Sequence, residues 1–221
     1  MAQQVAVIGL GRFGLAVART LVAHGHEVLG IDKAEEAVQR ARDVATYAVQ
    51  AMIYDGTAVR ALGLGEVDAA VVAIGGDMEA NLVATTLLLD AGVSHVVARA
   101  NSELHGTILA RVGAHRVVYP EASSGEAVAL TLRVPEVLAH IALGPDTGIT
   151  TLRAPDEWVG QSLAELRLPE RGPLVVLAIQ RGGEALAVPG ADERVRQGDI
   201  LALLERDSKL GALPGRSRQR R

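Results

Sequence analysis

The segment Val5–Gly14, VAVIGLGRFG, decides the fold predicted for this chain. Four apolar residues predict a buried strand, and Gly9-Leu10-Gly11-Arg12-Phe13-Gly14 follows at once and opens an amphipathic stretch. In such a turn Gly9 permits a tight reversal, Gly11 lets a phosphate approach the backbone, and Gly14 allows close packing of helix on strand. Free amide groups at the helix start attract an anion. The segment therefore predicts that a nucleotide binds at this turn.

Short apolar runs alternate with amphipathic stretches through the first half of the chain, as in a parallel sheet wrapped by helices. Six strands are predicted, at 5–8, 28–31, 46–49, 69–74, 95–98 and 116–119. Helices are predicted between them at 13–23, 34–43, 58–62, 79–90 and 103–112. The predicted fold class is α/β, a Rossmann-like doubly wound parallel sheet with right-handed crossovers.

The pattern changes after Pro120. One helix is predicted over 121–133, and an apolar run at 137–143 completes a region interpreted as connector helices, 121–143. Short strands with a Gly182-Gly183 hairpin and one helix then predict a smaller α+β domain. The predicted domains are 1–120, the connector 121–143, the smaller domain 144–210, and a disordered basic tail at 211–221.

Composition excludes several classes of function. The 221 residues are 49% hydrophobic, 22% charged and 2% aromatic, with no cysteine, so disulfides, thiolate metal sites and cysteine nucleophiles are ruled out. A net charge of -4 with few aromatic rings argues against nucleic-acid binding. No apolar run approaches the roughly 20 residues that cross a bilayer, and residues 1–7 lack the features of a secretory signal. We therefore expect a cytoplasmic protein.

Asp32 ends the second predicted strand, 18 positions beyond Gly14, where a carboxylate can accept hydrogen bonds from both ribose hydroxyls. Other residues that follow strands lie on the same rim and complete the predicted nucleotide site: Lys33, Asp55, Gly56, Thr57, Ala73, Ile74, Gly75 and Arg99. Two alternatives stay open. The turn can be a structural Rossmann turn without a ligand, and Asp55 and Thr57 can form a turn or helix cap.

Arg12 places a cation inside the glycine turn and Arg99 adds a second phosphate candidate. A cation there can meet more negative charge than a dinucleotide pyrophosphate carries, which favours ATP or ADP over NAD. The alternative for Arg12 is a solvent-facing arginine on the first helical turn.

Four segments together resemble the RCK or KTN domain of the cytosolic subunits that gate Ktr and Trk potassium transporters. They are 5–14, 25–32 (GHEVLGID), 71–75 (VVAIG) and 113–121 (GAHRVVYPE). Two later segments, 159–166 (VGQSLAEL) and 197–201 (QGDIL), are similar to the smaller RCK C-terminal domain. The resemblance covers essentially the whole chain.

The resemblance implies a regulator rather than an enzyme. It implies ATP and ADP at the glycine turn, Asp32 on the ribose, and Arg12 reaching phosphates held by a neighbouring subunit. Glu121 matches a glutamate that binds an activating cation, Mg²⁺, Ca²⁺ or Na⁺, between paired domains. Dimers and an octameric ring, a membrane potassium-translocating partner at the inner face of the cell membrane, and cyclic di-AMP at the smaller domain are also implied.

Alternatives remain at this stage. The signal can be NAD or NADH, and an NAD-dependent oxidoreductase shares the fold. The apolar run 137–143 can pack across a dimer or dock on its own sheet. Asp192, Glu193 and Asp199 are interpreted as acidic turns exposed to water.

Overall fold

The computed structural model describes residues 2–144, 147–168 and 174–206. The chain divides into two compact units between Ala122 and Ser123. The N-terminal unit precedes this division and the C-terminal unit follows it, and each has its own sheet and hydrophobic core. The predicted tail at 211–221 lies outside the described residues, and the domain boundaries at 120, 143 and 210 stay predictions.

The N-terminal unit contains a six-stranded sheet with the order β3-β2-β1-β4-β5-β6, in which every neighbouring pair is parallel. The strands are β1 Gln4–Ile8, β2 Glu27–Asp32, β3 Tyr47–Gln50, β4 Ala69–Val72, β5 Val96–Arg99 and β6 Arg116–Val118. The strand order reverses between β1 and β4, which confirms the doubly wound sheet predicted from the sequence.

Helices connect these strands and cover the sheet. They are α1 Arg12–Ala23, α2 Glu35–Ala41, α3 Gly56–Ala61, α4 Met78–Asp90 and α5 Glu103–Val112, with a short 3₁₀ turn at Leu64–Glu66. The central strand β1 is buried on both faces, because Ala6 and Ile8 pack in one apolar cluster and Val7 in another. Burial on both faces explains why β1 is a continuous apolar run rather than an alternating one.

Helix α6, Pro120–Arg133, contains the division between the units. The second half of the predicted connector is not helical, since Val137–Gly144 forms strand β7. The helix ends before Pro135, which has no amide proton to continue it, and the apolar run then pairs with strand β8, Thr147–Arg153. This edge strand docks on its own sheet, yet Leu138, Ile141 and Leu143 remain exposed.

The C-terminal unit contains a five-stranded antiparallel sheet with the order β10-β9-β11-β8-β7. Its remaining elements are a 3₁₀ turn at Asp156–Trp158, α7 Leu163–Leu166, β9 Val175–Arg181, β10 Glu184–Ala187 and β11 Ile200–Glu205. Gly182 and Gly183 join β9 to β10 with φ values of 58° and 91°, the left-handed conformations that a two-residue hairpin turn requires. The smaller α+β domain is thus confirmed.

The interpretation of Asp199 as an exposed acidic residue is wrong, because the structure buries it completely. Asp199 lies just before β11 and accepts two hydrogen bonds of 2.8 Å from Arg181, one from Nε and one from Nη2. Arg181 also donates to Glu193 and to the carbonyl oxygen of Arg194. A buried carboxylate is tolerated when its charge is paired and hydrogen-bonded in this way.

Candidate functional site

A cleft of about 670 Å³ opens at the carboxyl edge of the parallel sheet, beyond the ends of the paired strands β1 and β4. Ligands of open α/β sheets bind at this position, because the helices on either side of the reversal leave a crevice there. Eight residues predicted from the sequence line the cleft: Gly9, Gly11, Asp32, Lys33, Ala73, Ile74, Gly75 and Arg99. The fold therefore brings together residues that lie up to 90 positions apart in the chain.

Each of the three glycines in the turn is required for a different structural reason. Gly9 has φ +99°, and a Cβ there would lie 2.9 Å from the backbone of Ala73. A Cβ on Gly14 would overlap the carbonyl oxygen of Gly9, so helix α1 could not approach the turn with any larger residue. A Cβ on Gly11 would meet none of the described atoms within 4 Å, and Gly11 lines the cleft. The open space above Gly11 is where a phosphate would approach the backbone.

Helix α1 starts at Arg12, and its N-cap residue Gly11 supplies no side-chain hydrogen bond within the described part of the chain. Helices α3, α4 and α5 differ, since Asp55, Asp77 and Ser102 accept hydrogen bonds from their first-turn amides. The first-turn amides of α1 are therefore available to a ligand anion, which the helix dipole also favours.

Asp32 is held in place by two backbone amides. Its Oδ2 accepts a hydrogen bond of 2.7 Å from the N–H of Leu10, and its Oδ1 accepts one of 2.9 Å from the N–H of Ala34. A carboxylate has about four acceptor positions, so both oxygens can still accept from the two hydroxyls of a ribose. The bond to Leu10 also fixes the glycine turn against β2.

Arg99 brings its guanidinium into the cleft from the end of β5. The group lies over Gly75, where an added Cβ would be 2.6 Å from Arg99 Cζ. Its Nη2 is paired with the Glu121 carboxylate, whereas its buried Nε has no hydrogen-bond partner in the described structure. A cation with an unused buried donor, facing a cleft, is suited to a phosphate.

Other predicted site residues do not line the cleft. Leu10 is buried in the core, so only its backbone can serve the site, and Phe13 packs against the same apolar cluster. Arg12 is exposed at the start of α1.

The predicted residues Asp55, Gly56 and Thr57 form the start of helix α3. Asp55 Oδ1 accepts hydrogen bonds of 2.9 Å from the amides of Thr57 and Ala58, which is the helix cap that the sequence left open as an alternative. Gly56 is the first residue of that helix.

The segment that follows β3 lines the cleft but was not among the site residues predicted from the sequence. Ala51, Met52, Ile53 and Tyr54 line the cleft, and the Tyr54 hydroxyl lies 3.8 Å from Met52 Sδ. Met52 and Tyr54 are 45% and 61% exposed, which leaves an apolar surface beside the cleft on which a base can stack. This segment could have been predicted to line the cleft, since it follows a predicted strand and β3 ends on the same rim as the other strands.

Two amide side chains that the sequence analysis did not single out hold the rim together. Asn81 of α4 is fully buried, and its Nδ2 donates to the carbonyl oxygens of Ile74, at 2.7 Å, and of Arg99, at 3.0 Å. Asn101 donates from Nδ2 to the carbonyl oxygen of Gly75. These bonds tie the end of β4 to the end of β5 and so fix the backbone from which the Arg99 side chain extends.

Glu121 lies in the first turn of α6 with its side chain 65% exposed, and its carboxylate is paired with Arg99. Among the described residues there is no group of three histidine, aspartate or glutamate side chains that could hold a metal ion. A hard cation needs about six oxygen ligands. The cation site predicted at Glu121 requires ligands from a paired domain, phosphate or water, and it stays a prediction.

The strand order, the glycine turn at the reversal and the aspartate at the end of β2 define a Rossmann-type nucleotide-binding domain. Residues 5–120 match the TrkA-N domain family and residues 150–211 match the TrkA-C domain family. The chain belongs to the TrkA-N family, which confirms the resemblance drawn from the motifs.

Curated relatives match over nearly their whole length. The chain is 30% identical over 204 residues to Ktr system potassium uptake protein C of Bacillus subtilis (strain 168), covering 92% of each. It is 32% identical over 208 residues to Ktr system potassium uptake protein A of Vibrio alginolyticus, covering 94% of each. Both names describe potassium uptake rather than a catalysed reaction.

Solved structures share the fold. The GsuK RCK domain superposes with a TM-score of 0.66 at 16% identity over 96% of this chain, which spans 47% of that longer chain. The NAD(P)-binding domain of an exopolyphosphatase-related protein from Archaeoglobus fulgidus has a TM-score of 0.51 and 28% identity. That match covers 59% of this chain and 98% of the other.

None of the described helices is both long enough and apolar enough to cross a bilayer.

Proposed function

We propose that the chain is a nucleotide-sensing regulatory subunit that gates a membrane potassium transporter from its cytoplasmic side. The cleft at the reversal of the sheet carries this proposal, because it combines an uncapped helix start, an oriented carboxylate and an arginine. The names of the Ktr relatives support the potassium-uptake role. The membrane partner is a separate potassium-translocating subunit.

The ligand proposed is ATP or ADP. The amides of the glycine turn and the Arg99 guanidinium would hold the phosphates, Asp32 would accept hydrogen bonds from the ribose, and Met52 with Tyr54 would contact the base. A bound nucleotide would supply negative charge that differs between ATP and ADP only at the terminal phosphate. Arg12 is the exposed first residue of α1, and in this proposal it responds to that difference, in its own chain or in a neighbouring one.

Gating requires that the two nucleotides stabilise different arrangements of the assembly. A ligand with equal affinity for both states shifts neither, however tightly it binds. We propose dimers that assemble into an octameric ring, and the exposed Leu138, Ile141 and Leu143 of β7 supply an apolar surface for such self-association. The cation at Glu121 and cyclic di-AMP at the smaller domain belong to this proposal as expectations from the family.

NAD or NADH is the second candidate ligand. The support is the 28% identical domain from Archaeoglobus fulgidus, which is named as NAD(P)-binding and aligns with 59% of this chain. Asp32 would hold the ribose of either ligand, so this residue does not separate the two candidates.

Titration of the purified full chain with ATP, ADP and NAD, with particle mass measured at each step, tests ligand and assembly together. We expect ATP and ADP to bind and to give particles that differ in mass or shape. Binding of NAD alone would replace the adenylate proposal with the NAD one, and a lack of binding by all three would refute nucleotide sensing.

Arg12→Ala tests the discrimination between ATP and ADP. We expect the variant to narrow the affinity gap between the two nucleotides in calorimetry, because one cation near the terminal phosphate is lost. Arg19→Ala is the matched control, since it removes an exposed arginine from the same helix. An unchanged gap in Arg12→Ala would remove Arg12 from the mechanism.

A further inference from the structure

The Arg99 side chain contacts both the cleft and a carboxylate outside the cleft lining. Its guanidinium lines the cleft and lies over Gly75, and the same group is paired through Nη2 with Glu121. Glu121 belongs to the first turn of α6, the helix that leads from the N-terminal unit into the C-terminal unit. The ion pair thus joins the cleft directly to the start of that helix.

We propose that Arg99 exchanges partners, so that it holds Glu121 when the cleft is empty and the phosphate of a nucleotide when the cleft is filled. Nucleotide binding then releases the first turn of α6. The inference rests on the proposed nucleotide site and adds to it a route by which occupancy of the cleft reaches the helix between the two units.

The burial of the two partners favours exchange. The Arg99 side chain is 18% exposed and the Glu121 side chain is 65% exposed. A mostly buried guanidinium needs an anion beside it, since an unpaired buried charge is strongly unfavourable. A mostly exposed carboxylate is solvated by water as soon as it is released, so its loss from the pair costs little.

The phosphate is the stronger competitor for the guanidinium. It carries more negative charge than a carboxylate, and an arginine can bind it with two parallel hydrogen bonds. The buried Nε of Arg99 has no partner among the described residues, so rotation of the side chain away from Glu121 can present Nε together with Nη2 for these two bonds.

The backbone of Arg99 does not need to move during the exchange. Asn81 holds its carbonyl oxygen at 3.0 Å and also holds that of Ile74, while Asn101 holds Gly75. With the rim fixed in this way, the exchange is a rotation of one long side chain about a stationary end of β5. Such a rotation is fast compared with the rearrangement of an assembly.

Exchange predicts that Glu121 and the nucleotide compete, and that the competition passes through Arg99. Removing the Glu121 charge should therefore strengthen phosphate binding, because coupling between two partners of one group is reciprocal. We expect Glu121→Gln to raise the affinity for ADP and ATP about two- to fivefold, the range typical of an exposed ion pair.

The experiment is a double-mutant cycle on the full chain in calorimetry, with EDTA present so that a divalent cation cannot contribute. ADP affinity is measured for the original chain and for Glu121→Gln, Arg99→Gln and the double variant. We expect Arg99→Gln to lose about tenfold in ADP affinity. Glu121→Gln should raise the affinity only when Arg99 is present.

Adenosine binding and the variant Glu126→Gln serve as controls. Adenosine lacks phosphate, so its affinity should be equal in all four chains, which also shows that each variant retains an intact cleft. Glu126 lies five residues further along α6 and is exposed, so its replacement removes the same charge from the same helix. This control should leave ADP affinity unchanged.

Three results would overturn the exchange. The first is an unchanged ADP affinity in Glu121→Gln, and the second is a reduced ADP affinity in that variant. The third is an increase in ADP affinity that persists when Arg99→Gln is also present, since such an increase would reflect simple repulsion between Glu121 and the ligand. In each case the original chain still binds ADP, so the proposed function survives. If the original chain binds neither ADP nor adenosine, the proposed function itself fails.

Discussion

The two units each place an arginine and an aspartate at strand ends, and they use these charges differently. In the C-terminal unit Arg181 donates to Asp199, Glu193 and the carbonyl oxygen of Arg194, and the Asp199 side chain is only 1% exposed. In the N-terminal unit Asp32 and Arg99 line an open cleft, and Arg99 keeps a buried donor without a partner in the described structure.

The difference separates a structural charge cluster from a ligand site. Charges that satisfy one another fix the strands that carry them, whereas charges that face a cleft with unused hydrogen-bonding capacity can bind another molecule. The sheet topology is the cause. Parallel strands bring their carboxyl ends to one rim and leave a crevice at the reversal, whereas the antiparallel sheet alternates the ends of its strands along each edge.

The largest effect is expected from breaking the buried pair of the C-terminal unit. Asp199→Ala leaves Arg181, whose side chain is 28% exposed, with Glu193 as its charged partner among the described residues. We therefore expect a loss at the low end of the range for breaking a buried pair, about 3 kcal/mol of unfolding free energy or slightly more. Urea unfolding followed by the fluorescence of Trp158, the single tryptophan and a buried residue of the C-terminal unit, measures this loss. Asp192→Ala, at an exposed position of the C-terminal unit, is the control and should unfold like the original chain. Equal midpoints for both variants would contradict the structural role of Asp199.

The glycine turn offers a matched pair of substitutions. Gly14→Ala places a Cβ onto the carbonyl oxygen of Gly9 and should destabilise the N-terminal unit by about 3 kcal/mol. Gly11→Ala points into open space, so it should leave stability unchanged but weaken ADP binding about tenfold. Circular dichroism during urea unfolding and calorimetry separate the two effects. A stability loss in Gly11→Ala equal to that in Gly14→Ala would show that the turn is structural only.

Asp32→Ala tests whether the Asp32 carboxylate of the N-terminal unit, which faces the cleft instead of pairing with an arginine as Asp199 does, binds the ribose. The variant loses charge-assisted hydrogen bonds to the ribose, so ATP and ADP should both bind about 1.5–3 kcal/mol more weakly in calorimetry. Asp43→Ala removes an exposed carboxylate of the same unit and serves as the control. If Asp32→Ala binds both nucleotides like the original chain, the ribose assignment is wrong.

The smallest effect concerns acid sensitivity of the C-terminal unit. The hydrogen bonds from Arg181, aided by the amide of Arg196, hold the pKa of the Asp199 carboxyl below its usual value. The stability that this carboxylate contributes is present above its unfolded pKa of about 3.9 and is lost as pH falls through the lower folded pKa. The pKa of Glu165 is also lowered, chiefly by the Ser162 amide, and adds a change of the same sign.

We therefore expect the urea midpoint reported by Trp158 to fall as the pH drops below about 5, and to keep falling below the unfolded pKa of about 3.9. Asp199→Asn removes one titrating group and should make this fall shallower without abolishing it. An identical pH dependence in the variant and the original chain would show that Asp199 does not govern acid sensitivity.

The parallel sheet could be predicted from the sequence because its signals are local. Burial on both faces makes β1 a continuous apolar run, and the glycine turn directly after it marks the start of a helix. Asp32 could be predicted from its position at a strand end. Strand β7 could not, because the apolar run of seven residues at 137–143 fits a strand or a helix equally well and only pairing with β8 decides between them.

The amino-acid order alone determined the glycine turn, the aspartate at the end of β2 and the family to which the chain belongs, because each depends on residues close together along the chain. Tertiary structure decided which charged side chains pair with one another and which can bind a ligand. Asp199 and Asp32 are the same chemical group, and only contacts between distant segments pair one with Arg181 and leave the other facing a cleft. Partners such as Asn81 with Arg99, or Arg99 with Glu121, follow from how strands are ordered in space, which the spacing of residues along the chain does not specify.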